Sequence, residues 1–130
     1  MDIIVTTPKS EMVNAAKEAA NARDAIDSGT EVCYFRRFAH HPPTLHKWDK
    51  VFYVEDGYIR GYAVVDRIEY KDEEVCSTTG RTWSQALFAY MKADSWTWIK
   101  PIPLAGFRGW RKMLTPFEIV GDWKDPRPSA

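Results

Sequence analysis

Residues Ser28 to Val65 read SGTEVCYFRRFAHHPPTLHKWDKVFYVEDGYIRGYAVV. Asp56-Gly57 lies between two runs of aromatic and β-branched residues, which is a strong hairpin signal. Lys50–Glu55 and Tyr58–Tyr70 are therefore expected to pair as strands. Gly61, inside the second run, marks a bulge or a close backbone approach. Upstream, Glu31–Phe38 reads as a further strand. Alternation puts Val32, Tyr34, Arg36 and Phe38 on one face and Cys33, Phe35 and Arg37 on the other. Between the two lies a loop, broken by Pro42-Pro43 and carrying His40, His41 and His46.

Asp2–Thr6 reads as a short strand. Thr7 is suited to cap a helix with Pro8 in its first turn. The spacing predicts that helix over Pro8–Asp27, with Gly29 ending it. In the second half, Arg81–Tyr90 fits a short second helix, although a strand fits as well. Lys92–Ile102 suggests a strand pushed to an edge by Pro101 and Pro103. Gly106–Trp110 reads as a bend and Met113–Val120 as a last strand. Residues 1–121 form one domain and 122–130 a polar, Pro-rich tail. The expected class is α+β: a small curled barrel with the N-terminal helix against its side.

At 130 residues the chain can bury one core without staples. Its charge is balanced, 18 basic against 18 acidic residues, which argues against a generic coater of duplex DNA. The balance is uneven along the chain. Ser95–Phe117 holds Lys100, Arg108, Arg111 and Lys112 with no acid, so a local basic patch fits within a neutral total. Two cysteines and three histidines show no metal-ligand spacing, and neither metal nor cofactor is expected. No apolar run reaches membrane-spanning length and no secretory leader is evident, so a cytoplasmic setting is expected.

The order of these elements resembles an ASCH domain of the PUA-like superfamily, to which the EVE and YTH branches also belong. ASCH domains carry Gly-x-Lys-x-x-Glu-x-Arg entering the second strand, then elements like Gly-Asp-x-Val and Gly-x-Ala-x-Val. Here Gly29 and Arg36 match the first motif, while Glu31 and Tyr34 stand at its Lys and Glu positions. Trp48-Asp49-Lys50-Val51 resembles the second element, with Trp in place of Gly. Gly61-Tyr62-Ala63-Val64-Val65 resembles the third. The Trp-rich second half looks like small phage and bacterial ASCH-like proteins. The resemblance implies a PUA-like β-barrel of five to six strands that binds RNA, another single-stranded nucleic acid or a modified nucleobase.

Some ASCH proteins are amidohydrolases acting on acetylated cytidine through a Lys/Thr/Glu set. With the motif Lys and Glu replaced, those roles do not carry over; Thr6, Thr7, Lys9 and Glu55 are the residues from which a substitute site would be built. Arginine pairs bidentately with phosphates and base edges, which nominates Arg36 and Arg37. His40 belongs to a polar loop able to hydrogen-bond at the mouth of a barrel. Trp96, Trp98 and Trp110, interleaved with Lys100, Arg108 and Arg111, have the composition of a base-stacking surface. The leading expectation is nucleic-acid or nucleobase binding in a cleft between the paired-arginine strand and the Trp-rich loop. The alternatives are a hydrolase acting on a modified nucleoside or RNA, and a phage-type module that docks on or inhibits a protein partner.

Overall fold

The computed structural model describes residues 1–7, 35–75, 82–92, 94–122 and 124–125, with backbone alone for 71–75 and 82–85. Eight strands follow in order: β1 (Ile3–Thr6), β2 (Phe35–Phe38), β3 (Lys50–Glu55), β4 (Tyr58–Val75), β5 (Thr82–Met91), β6 (Thr97–Pro103), β7 (Trp110–Lys112) and β8 (Ile119–Asp122). The α+β expectation is corrected. The described residues are all-β and build a curled, mixed sheet in the form of a half-barrel, with no helix among them. The helix expected over Pro8–Asp27, and Lys9 with it, lies outside the described residues.

At Arg81–Tyr90, where a short second helix and a strand both fitted, the helix is excluded: Thr82–Met91 is strand β5. The reason is burial on both faces. Leu87, Ala89 and Met91 enter one apolar cluster, and Ala86, Phe88 and Tyr90 enter another. A strand buried on both sides reads as a continuous apolar run and loses its period of two. Strand β6 lies between β4 and β8 only over Thr97–Ile99; beyond the Ile99 pair it is bordered by β4 alone among the described strands, so the stretch that holds Pro101 and Pro103 is an edge, as expected. Pro101 falls where the β4 ladder is irregular, between the Trp98 and Ile102 pairs, and Pro103 forms the last pair of that ladder, with Tyr58.

The hairpin is as expected. Asp56 (φ 52) and Gly57 (φ 80) both take left-handed backbone angles, the signature of the two-residue turn that matches strand twist. The second strand continues to Val75, beyond the expected Tyr70. Along one edge β4 pairs first with β6, over Tyr58–Tyr62, and then with β5 from Val65 onward. Its other edge pairs with β3. Strand β1 lies parallel to β3 and antiparallel to β7. A single 18-residue strand is thus shared by two sheets that diverge near Val65.

The inner face of the curl is lined by Ile3, Val5, Val51, Ala63, Val65, Trp96 and Trp98 from one side, and by Phe38, Leu87, Ala89 and Met91 from the other. The outer face of the first sheet packs Ile4, Phe52, Val54, Ile59, Tyr62 and Ile99. Gly61 is required by the inner packing. A Cβ there would sit 2.6 Å from Trp96 Cζ2 and press on the Thr97 carbonyl. The β3–β4 register also shifts beside it, so Arg60 is the extra residue of a bulge.

Candidate functional site

One end of the half-barrel gathers polar residues. Arg36 on β2 pairs with Ala89, an inner-face residue, so its side chain projects inward. Its Nη1 donates to the Thr6 carbonyl at 3.1 Å, joining the second sheet to the end of β1. Glu55 pairs with Tyr58 in the neighbouring hairpin and is buried. Arg60 is 7% exposed, and its guanidinium lies 4.9 Å from the centroid of the Tyr58 ring. Arg60 Nε has no acceptor among the described residues, and neither has the buried Trp96 Nε1. The two are neighbours through Gly61, where the missing side chain leaves room for the Trp96 ring. Tyr53 completes this inner wall, its ring 5.8 Å from that of Trp96.

A buried donor without an acceptor is destabilising, more so when it is charged. Two such donors on one wall suit a ligand that presents acceptor oxygens or ring nitrogens. The described residues hold no cluster of His, Cys, Asp or Glu able to bind a metal ion.

The expected site residues do not all meet there. Trp96 and Trp98 are core, 1% and 3% exposed and packed edge-to-face at 5.1 Å. Trp98 Nε1 donates to the Asp125 carbonyl. Arg37 pairs with Phe88, on the side away from Arg36. His40 is exposed, and the neighbouring His41 carbonyl accepts a 2.6 Å hydrogen bond from Trp110 Nε1. Trp110 itself packs against the inner core. Arg108 is exposed, and Arg111 covers the Phe107 ring at 4.1 Å on the outer face. Lys100 lines an open groove of about 330 Å³ with Ile102, Pro116 and Phe117. Thr6 Oγ1 accepts from the Phe107 amide, and the Thr7 amide donates to the Val54 carbonyl.

Trp48 is a residue that the sequence reading treated only as a stand-in for glycine. It is 60% exposed and its φ is +80°. Its amide donates to the Val65 carbonyl, whose own amide donates to the Asp49 carbonyl. Asp49 Oδ2 accepts from the His46 amide at 2.8 Å and lies 2.9 Å from the Met1 ammonium. Burial works to raise the Asp49 pKa. The hydrogen bonds from the ammonium and the His46 amide, with the charges of the ammonium and His46, outweigh it and hold the carboxyl below its ordinary value. The indole therefore stands on a well-braced turn. Lys92 Nζ lies 4.3 Å from the ring centroid and Lys47 Nζ lies 5.3 Å from it. Lys47 also reaches Asp66 at 4.0 Å. The available sequence signal was an aromatic residue between lysine and aspartate at a turn.

Compared with protein-family models, curated proteins and solved structures, the chain matches none. No helix among the described residues is long and apolar enough to cross a membrane.

Proposed function

We propose that this chain is a PUA-like domain that binds a nucleobase, presented by RNA or another single strand, at the inner polar end of its half-barrel. The observation that carries the reading is the pair of buried donors, Arg60 Nε and Trp96 Nε1, that have no acceptor among the described residues. A base edge supplies such acceptors, and the Glu55 carboxylate on the same inner side suits a ring N–H or an exocyclic amine. The inward Arg36 agrees with the arginine of the ASCH motif. The left-handed backbone at Trp48 agrees with the motif's glycine at that place, since glycine takes φ above zero without strain. A hydrolase has less support: Thr6 Oγ1 is engaged by the Phe107 amide on the outer side, whereas Glu55 lies inside.

The test is fluorescence titration with uridine and cytidine monophosphates, a mixed-sequence RNA oligomer and duplex DNA at two salt concentrations. Saturable quenching by a mononucleotide or the RNA, weakened in Arg60→Met, is the expected result. No response to any of the four overturns the reading.

A second reading has one observation in its favour. Leu114, Ile119 and Val120 are exposed beside the half-exposed Phe117, and β8 pairs only with β6 among the described strands. An apolar sheet edge of this kind suits docking on a protein. A complex with a protein partner that survives nuclease and high salt, and that Val120→Lys abolishes, would establish this role.

A further inference from the structure

We infer that Trp48 is a second contact for a single-stranded nucleic acid, a stacking platform for an unpaired base with Lys47 and Lys92 on the flanking phosphates. The inference rests on the proposed function and extends it from one base to a strand. Three observations carry it. First, the indole is held in a backbone conformation that disfavours bulky side chains, yet it packs little of its surface in return. A position under such strain, with no core contact to maintain it, points to a contact made in a complex. Second, the platform is preorganised. The Val65 and Asp49 hydrogen bonds fix the peptide, so little freedom is lost on binding. Third, two ammonium groups lie within 5.3 Å of one exposed ring. That pairing of a π face with cations matches the two parts of a nucleotide, base and phosphate.

The geometry also sets the ligand length. Trp48 precedes β3 and Glu55 ends it, and Lys50 to Glu55 spans roughly 17 Å at 3.4 Å per residue. A mononucleotide at the inner end cannot reach Trp48, whereas an oligomer of several nucleotides can. The platform therefore acts only on strands.

The experiment compares uridine monophosphate with a labelled, mixed-sequence RNA dodecamer, by calorimetry and by anisotropy. The variants are Trp48→Ala, Trp48→Phe and Lys92→Glu in the full chain. Trp48→Ala is expected to weaken the dodecamer about tenfold and to leave the mononucleotide unchanged. Trp48→Phe retains most of the affinity, because a stacking face remains. Lys92→Glu lowers dodecamer affinity and flattens its salt dependence. If Trp48→Ala binds the dodecamer as the parent does, while the mononucleotide still binds, the platform is overturned and the base site stands. If the parent binds neither ligand, both fall.

Discussion

Trp96 and Trp48 carry the same ring in opposite settings. Trp96 is enclosed, set over Gly61, against Tyr53 and edge-on to Trp98. Trp48 stands out on a braced turn, with lysines for neighbours. The first is held in place by shape, the second by backbone hydrogen bonds. An aromatic-rich composition therefore does not identify a binding surface; what surrounds each ring does. Removing the enclosed ring should cost stability together with the Nε1 donor of the proposed base site, whereas removing the exposed one should cost affinity for a strand and relieve strain.

The largest effect expected is at Trp96. Trp96→Ala empties the inner core and should destabilise the fold by about 3–5 kcal/mol in denaturant unfolding. A loss near zero would mean that the ring is not enclosed and would break the contrast. Next comes the position beneath it. Gly61→Ala brings a methyl group against the Trp96 ring and the Thr97 carbonyl, with an expected loss of about 1–3 kcal/mol. An unchanged midpoint would show that the ring can retreat.

The sign reverses at Trp48. Trp48→Gly relieves the left-handed backbone and should raise stability by about 1–2 kcal/mol, opposite in direction to Trp96→Ala. A fall in stability would mean that the indole packs more than its exposure indicates. The smallest effect is the acid limb of the turn beneath it. The Asp49 carboxyl is depressed in the folded state. Its contribution is therefore fully present above the ordinary aspartate pKa, about 3.9, and is lost as pH falls through the lower folded value. Asp49→Asn should cost about 1 kcal/mol at neutral pH and flatten that limb. A parallel acid limb in the variant would assign the dependence to other carboxylates.

The readable part of the fold was the hairpin. Asp56-Gly57 specifies its turn and Gly61 marks its bulge by chemistry local to the chain. Strand β5 was ambiguous, because its two faces bury different partners and Phe88 and Ala89 are equally apolar. Pro101 and Pro103 mark an edge, because β8 borders β6 only as far as Ile99, whereas the start of the strand lies between two partners, which the prolines do not announce. Among the site residues, the alternation of Arg36 and Arg37 was correctly read, since it follows from strand geometry alone. Arg60 was missed, although a charge inside the apolar run YIRGYAVV is itself a signal. Its inward direction depends on the bulge. The left-handed angle at Trp48 arises from the Asp49 and Val65 hydrogen bonds, which no local pattern announces.

The parallel pairing of β1 with β3 has a consequence for synthesis. Ile3, Ile4 and Val5 are made before either of their partner strands: Val51, the partner of Ile3, comes 48 residues later and Lys112, its partner on the opposite edge, 109 residues later. At about 5–20 residues per second, the first partner arrives after roughly 2–10 s and the second after roughly 5–22 s. A short, sticky strand thus waits with one edge open until β3 is made and with the other open until β7 is made.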